Sequence, residues 1–164
     1  MNTKKSFCLV VVLFIVVSAF AGNNKNSYSG VWKLNKEKTP PTNSRLFLSQ
    51  ISFSLKGDSL FTVRTYENDN GETYPFDEKL TMDGKEYKIE VYNFPRKAKA
   101  HWSEKDGFLV IESVTTFTGD SGQQDLIMNE TWKVDEKGTS LDVEFTTKLP
   151  TGDVKGTFNF NKSK

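Results

Sequence analysis

The chain has 164 residues, of which 26% are charged and 36% are hydrophobic, and its formal net charge is +1. Such a near-neutral balance excludes the strongly basic surface with which proteins attract nucleic acids or anionic membranes. The three arginines, Arg45, Arg64 and Arg96, are also few for a protein that recognises phosphate groups.

The first 21 residues have the features of a cleavable signal peptide. Two lysines precede an apolar run at residues 7–17, and the tripeptide Ala19-Phe20-Ala21 fits the small-x-small pattern of a cleavage site. The run is about 11 residues long, which is too short to cross roughly 30 Å of hydrocarbon. We therefore expect export to the periplasm or the extracellular space, with no membrane insertion after cleavage. Cys8 leaves with the signal peptide, so residues 22–164 have no disulfide or thiol chemistry.

Residues 22–29 are interpreted as a short N-terminal lead, and residues 30–164 as one domain that alternates polar and apolar residues. Ile51, Phe53 and Leu55 illustrate this pattern early in the chain, and it continues to the last residues. Alternation with period two predicts β-strands that bury one face. Turn signals separate these runs, at Gly57, Gly71, Gly84, the 93–95 loop, Gly107, 119–122, Gly138 and 150–153.

The count of runs predicts an all-β domain of about eight to ten strands with no major helix. Because each predicted strand neighbours the next, the topology is up-and-down and antiparallel, and closure into a barrel removes the exposed edges. The turns at Gly57, Gly84, Gly107 and Gly138 fall at one rim. The opposite rim receives what we expect to be the longer loops, including residues 36–44 and 92–97, and we expect any ligand to bind there.

The three tryptophans are predicted to lie together at the rim with the tight turns. Trp32 begins the first strand there, whereas Trp102 and Trp132 end strands that run toward the same rim. Gly30 would let the entering chain pass close beneath the barrel, where a Cβ atom would be crowded. Gly30 and the three tryptophans therefore form the predicted structural base cluster.

Gly30-Val31-Trp32 is similar to the Gly-x-Trp signature of lipocalins. More narrowly, "SGVWKLNKEKT" after a signal peptide resembles the start of secreted bacterial lipocalin-like proteins of uncharacterised function. The resemblance implies a β-barrel of the calycin superfamily. The arginine that covers the tryptophan from the last strand of lipocalins has no match here, and Lys162 is the nearest cation.

No catalytic or metal-binding pattern emerges from the residues, so we do not expect an enzyme. His101 is the single histidine of the chain, and its parity places it opposite Trp102, on the outer face. A nucleophilic triad requires a histidine held between two partners, and an ordinary zinc site requires several His or Cys ligands. We therefore expect neither a catalytic residue, nor a bound metal, nor a cofactor.

Some charged residues share parity with apolar residues of the predicted inner face. These are Glu78, Glu112 and Glu130, and Arg64, which precedes Tyr66 on its strand, is a candidate partner for them. A charge inside a barrel requires a partner or water. The alternative is that β-bulges shift the register and turn these side chains toward solvent.

Two functions are compatible with this pattern. The first is a secreted, non-enzymatic binding protein that holds a small apolar or amphipathic molecule. The second is a protein-interaction module, such as an inhibitor or an envelope component, whose barrel is filled by its own side chains. Interior volume would discriminate between them. The oligomeric state stays open, and we expect no nucleic-acid partner.

The predicted ligand site combines residues at the mouth with the inner polar groups. Tyr92, Phe94 and Arg96 flank the mouth, where aromatic rings offer apolar area and Arg96 could meet an acidic head group. The alternative is that Phe94 and Pro95 only pack against their own loop and bind no ligand. The full set of candidates is Tyr66, Tyr74, Tyr92, Phe94, Arg96, Arg64 and Glu130.

Overall fold

The computed structural model describes residues 25–39, 46–119 and 122–164. The predicted signal peptide, its cleavage site and the prolines of the first loop lie outside the described residues. A short 3-10 helix, Lys25–Tyr28, precedes ten strands. These are β1 (Gly30–Leu34), β2 (Leu46–Lys56), β3 (Ser59–Asn68), β4 (Thr73–Thr81), β5 (Tyr87–Val91), β6 (Phe94–Trp102), β7 (Leu109–Gly119), β8 (Gly122–Val134), β9 (Ser140–Lys148) and β10 (Val154–Lys162).

The ten strands form one antiparallel sheet in the order β4-β3-β2-β1-β10-β9-β8-β7-β6-β5. Every strand pairs with its neighbours in sequence, except that β4 and β5 are the two edges and that β1 also pairs with β10. The sheet therefore curls into a nearly closed barrel in which β4 faces β5 and β6 across a seam. The predicted all-β, up-and-down barrel is confirmed, with ten strands.

Alternation decides which side chains face the interior. On β9, Leu141 and Val143 are fully buried. Asp142, which lies between them, and Glu144, which follows Val143, are more exposed. Burial of each large apolar side chain contributes about 1.5–3 kcal/mol to folding, so this alternation drives the closure of the barrel. The largest fully buried apolar side chains are Trp32, Trp132, Tyr28, Phe160, Ile51, Leu60, Leu80, Leu109, Ile111, Leu141 and Val143.

A β-bulge interrupts the alternation of β2. The register between β2 and β3 shifts between Leu48 and Gln50, so that Ser49 is the extra residue. Leu48 and Ile51 are three residues apart, yet both are buried. The bulge allows this because Ser49 occupies an extra position in the strand. Leu48 before it and Ile51 after it can therefore both point inward.

The expected difference in loop length between the two rims holds for the β1–β2 connection, residues 35–45, but not for the other connections. At the predicted open rim, only residues 92–93 separate β5 from β6, and residues 120–121 separate β7 from β8. At the predicted tight rim, by contrast, residues 103–108 separate β6 from β7. The physical reason is that two positive-φ residues suffice for a hairpin, whichever rim they occupy.

Residues 92–97 are not the loop that their proline suggested. Tyr92 and Asn93 have φ angles of 50° and 66°, which is the pattern of a two-residue hairpin turn. Val91 pairs directly with Phe94, and Pro95 lies within β6 opposite Glu90 of the edge strand β5. In the described part of the chain, no helix has the length and apolarity needed to cross a membrane.

Candidate ligand-binding site

One end of the barrel interior is sealed by aromatic side chains, which we call the base. Trp32 and Trp132 are fully buried there, and the Tyr28 side chain from the N-terminal 3-10 helix lies between strands. The Tyr28 ring packs 5.3 Å from the Trp102 ring and 5.6 Å from the Phe53 ring, measured between centroids. Its hydroxyl donates to the Trp132 carbonyl at 2.8 Å. The base thus brings all three tryptophans into one apolar cluster.

Tyr28 was missed by sequence reasoning, which treated residues 22–29 only as a lead. The Tyr28 carbonyl accepts a 2.7 Å hydrogen bond from the Trp32 indole Nε1. Burial raises the pKa of the Tyr28 hydroxyl above its ordinary value, so it remains a donor at neutral pH. A tyrosine four residues before the Gly-x-Trp tryptophan was the available signal.

Gly30 and Lys162 lock the N-terminal segment onto the base. The Lys162 Nζ lies 4.9 Å from the centroid of the Trp32 ring and donates to the Ser27 carbonyl at 2.8 Å. Gly30 has a φ of +138°, and a Cβ atom on it would come within 2.7 Å of Lys162 Cε. Lys162 therefore covers the tryptophan from the last strand, and Gly30 leaves the space for it.

A layer of four charged side chains crosses the interior above the base; it consists of Arg64, Glu78, Arg96 and Glu130, and we call it the charged layer. On β8, Glu130 follows the inward parity between Trp132 and Met128, and on β3 Arg64 precedes Tyr66. The four are buried, with exposed fractions from 2% to 7%. Sequence reasoning identified Arg64 as the candidate partner of Glu130 and Glu78, and the structure brings these three side chains together.

Arg64 binds Glu130 through two parallel hydrogen bonds. Arg64 Nη1 and Nη2 each donate to one carboxylate oxygen of Glu130 at 2.7 Å, and Nη2 lies 3.6 Å from Glu78 Oε2. Burial alone would lower the pKa of Arg64, but the two carboxylates outweigh it and raise the pKa above the ordinary value of arginine. The guanidinium also lies over the Trp132 ring, 5.2 Å from its centroid.

Arg96 is part of this layer and not of a mouth loop, which corrects the expectation that it meets an acidic head group at the rim. Its Nε donates to Glu78 Oε1 at 3.0 Å, and its Nη1 donates to Thr115 Oγ1 at 3.2 Å. The hairpin turn at residues 92–93 is so short that residue 96 already lies two residues inside β6. The pair crosses the seam, because Arg96 lies on β6 and Glu78 on β4.

Glu112, by contrast, points outward, so of the two orientations left open for it the structure has the one that faces solvent. Its carboxylate pairs with Lys99 at 3.0 Å on the outer face, where both side chains are more than one-third exposed. The inward residues of β7 are Leu109, Ile111 and Ser113, whose parity is opposite to that of Glu112. Both parities of β7 contain aliphatic residues, so alternation alone could not choose between them.

Above the charged layer, the inward side chains are only half-buried. We call this upper half of the interior the cup; it is lined by Phe94, Leu126, Met128, Phe145 and Phe158. The Phe145 and Phe158 rings stack with centroids 4.9 Å apart and planes 20° apart. The Phe145 ring lies directly over Gly156, where a Cβ atom would come within 2.6 Å of it.

The predicted aromatic residues of the mouth occupy different positions. Phe94 faces inward and packs at the mouth against Phe117 of the neighbouring strand β7, with 4.7 Å between ring centroids. Tyr92 is 53% exposed, and its hydroxyl donates to the Pro75 carbonyl at 2.7 Å, which ties the β5–β6 turn to β4 across the seam. A positive φ is uncommon for a tyrosine and strains the backbone. At Tyr92 this strained residue is the one that makes the hydrogen bond across the seam.

The other two tyrosines separate in the same way. Tyr74 is exposed at the rim, where its hydroxyl donates to Glu72 at 3.1 Å. Tyr66 faces inward next to Arg64, and burial raises the pKa of its hydroxyl although the Arg64 charge acts in the opposite direction. Tyr66, Phe94, Arg64, Arg96 and Glu130 therefore share the interior, whereas Tyr74 and Tyr92 do not.

The single histidine of the chain points away from the barrel interior. His101 lies on the outward parity of β6, opposite the inward Trp102 side chain. Among residues 25–39, 46–119 and 122–164, no group of three His, Cys, Asp or Glu side chains is placed to hold a metal ion. The inner polar groups are thus the arginine and glutamate pairs and the hydroxyls beside them.

Comparisons with known proteins identify the fold. A secretory abundant heat soluble protein from Ramazzottius varieornatus aligns with a TM-score of 0.55 and 15% sequence identity, over 84% of this chain and 96% of that chain. A zebrafish ileal bile acid-binding protein in complex with cholic acid aligns with a TM-score of 0.49 and 14% identity, over 84% and 99% of the two chains. No protein-family model and no curated protein matches the sequence. The alignment with the heat soluble protein supports the predicted all-β, up-and-down antiparallel barrel as the fold.

Proposed function

We propose that this barrel is a non-enzymatic binding protein that holds a small apolar or amphipathic molecule in the cup. The observation that carries the proposal is the contrast between the two halves of the interior. Trp32, Trp132 and Phe160 at the base are fully buried, whereas Met128, Phe145 and Phe158 face the same interior and remain half-buried. Met128, Phe145 and Phe158 lie on β8, β9 and β10, away from the seam between β4 and β5, so solvent reaches them from the open end.

The cup suits an apolar chain or ring system. Its wall consists of phenylalanine, leucine and methionine side chains, and burial of apolar area supplies about 25 cal/mol per Å². Methionine adapts to irregular shapes, so Met128 can accommodate ligands of different outline. Entry from the base is blocked by Tyr28 and the tryptophans, so the ligand enters past Phe94 and Phe117.

A fluorescence titration tests this proposal directly. N-phenyl-1-naphthylamine, an uncharged apolar dye, is expected to bind saturably with increased emission. Met128→Trp, which fills the cup, is expected to weaken this binding at least about tenfold, equivalent to 1.4 kcal/mol. Ile127→Trp is the matched control, because the neighbouring residue Ile127 pairs with Val114 and Lys148 on the outer face. Equal loss in both variants would show that the dye does not occupy the cup.

A protein-interaction module is the second candidate, and the outer face supplies an observation in its favour. Val31, Phe61 and Val63 are all more than one-third exposed on the outer side of β1 and β3. Val31 and Val63 both pair with Ser52 of β2, so they flank one residue. Absence of saturable binding of the dye, together with binding of a partner that Val63→Lys abolishes, would favour this function.

We also propose that the chain is exported and that its mature form begins at Gly22. Support comes from the sequence of residues 1–21 alone: two lysines, an apolar run and the Ala19-Phe20-Ala21 tripeptide. The intact mass of the protein recovered outside the cytoplasm measures this. A mass that includes residues 1–21 would contradict the proposal.

A further inference from the structure

We infer that the cup selects uncharged amphiphiles, with a hydroxyl or amide head group, over fatty acids and other ions. The inference rests on the proposed function and names the ligand class for the same site. Its basis is the charge balance of the barrel interior, which depends on four side chains.

The ten described strands place no net charge in the interior above the base. At the inward positions of the ten described strands, the charged side chains are those of Arg64, Arg96, Glu78 and Glu130, together with Lys162 beneath Trp32. Two arginines and two glutamates cancel, and Lys162 is held by Ser27 on the far side of the tryptophan. An anionic head group in the cup therefore meets no excess positive charge.

Each cation of the layer is already matched to a carboxylate. Both Nη atoms of Arg64 bind Glu130 at 2.7 Å, and Arg96 binds Glu78 at 3.0 Å through Nε. A ligand carboxylate that approached either guanidinium would also approach these two glutamates. In a buried layer such repulsion is poorly screened, and the ligand would in addition lose its own hydration.

The layer retains hydrogen-bonding capacity of both kinds. Among the described residues, the buried side-chain atoms without a hydrogen-bond partner are Thr62 Oγ1, Arg64 Nε, Glu78 Oε2 and, beneath the layer, Trp132 Nε1. Thr62 pairs directly opposite Glu78, two residues from Arg64 on the same strand. Arg64 Nε can only donate and ionised Glu78 can only accept. A hydroxyl or a primary amide both donates and accepts, whereas a carboxylate only accepts.

The pH dependence of fatty-acid binding tests the inference in the wild-type protein. The dissociation constants of decanoic acid and 1-decanol are measured by displacement of N-phenyl-1-naphthylamine between about pH 6 and pH 8, where free decanoate is ionised. If the cup accepts only the uncharged acid, its apparent affinity falls about tenfold per pH unit while that of 1-decanol stays constant. The groups that face the ligand are Tyr66 and the four of the charged layer.

An affinity for decanoate that does not change with pH, or that equals that of 1-decanol at pH 8, would overturn the inference. These outcomes differ from failure of the proposed function, in which the dye itself does not bind saturably. The slope with pH includes the general preference of apolar cavities for uncharged ligands, and a charge substitution isolates the contribution of the charged layer.

A charge substitution gives an independent test. Glu78→Gln keeps the shape of the side chain and leaves the layer with one excess positive charge, so decanoate at pH 8 should gain at least about tenfold in affinity relative to 1-decanol. Glu112→Gln removes the same charge from the outer face and should leave the ratio unchanged. The ratio within one variant does not depend on the fraction of protein that is folded. An unchanged ratio in Glu78→Gln would contradict the electrostatic explanation.

Discussion

Removal of one charge from the Arg64–Glu130 pair should destabilise the barrel far more than removal of a surface charge. Glu130→Gln preserves the volume of the side chain but leaves the Arg64 guanidinium, which is 2% exposed, with one remaining carboxylate nearby. Loss of one partner of a buried pair costs about 3–5 kcal/mol. Glu78 Oε2 lies 3.6 Å from Arg64 Nη2 and continues to compensate part of the charge, so we expect the lower value, about 3 kcal/mol.

The measurement is the free energy of unfolding in urea, followed by tryptophan fluorescence. The matched control is Glu112→Gln, because the Lys99–Glu112 pair has side chains 41% and 37% exposed and should lose at most about 1 kcal/mol. The double variant Arg64→Met/Glu130→Met, which removes both charges, should recover much of the loss. The reasoning would be refuted by a Glu130→Gln protein whose unfolding free energy lies within about 1 kcal/mol of that of Glu112→Gln.

Three further predictions concern the base and one turn. Trp32→Ala should cost about 3–5 kcal/mol of unfolding free energy, because the side chain is fully buried; a denaturant midpoint near that of the wild type would contradict its place in the core. Gly30→Ala should cost about 1–3 kcal/mol, because of the φ of +138° and the 2.7 Å approach to Lys162 Cε, and Lys162→Ala should relieve the contact but not the backbone strain. Asp135 accepts hydrogen bonds from the Thr139 and Ser140 amides, which outweigh burial and hold the pKa of its carboxyl below 3.8. The Asp135 carboxylate stabilises the folded protein at pH values above its ordinary pKa, and this stabilisation is lost as the pH falls through its lower pKa in the folded state. Between about pH 4 and pH 2, the unfolding free energy of Asp135→Asn should therefore fall less than that of the wild type.

The strands and most of their inward faces could be predicted from the sequence. Period-two alternation depends only on which residues are apolar, and the side chains of a strand necessarily point to opposite faces. Leu141 and Val143 are buried for this reason, and the same parity argument brought Glu130 and Trp132 to the inner face. The strand directions, which follow from an up-and-down topology, placed the tryptophans at one end.

Parity failed where both faces of a strand are apolar or where the register shifts. Val110 and Val114 made the outer face of β7 a candidate for burial, so the sequence left open whether Glu112 lies inside. The bulge at Ser49 has no distinct sequence signal, since serine fits either orientation. Loop lengths also escaped prediction, because the Pro95 that suggested a loop is tolerated at its position in β6.

The sequence by itself determined the period, the polarity and the order of the strands, since these are local properties of the chain. Only the tertiary structure decided which distant side chains meet. Arg64 and Glu130 are 66 residues apart, and closure of the barrel brings their atoms within 2.7 Å. Arg96 and Glu78 meet across a seam that no strand ladder spans. Charge neutrality of the interior is a property of these pairings, because a buried charge is stabilised by the groups that surround it in space and not by its neighbours in sequence.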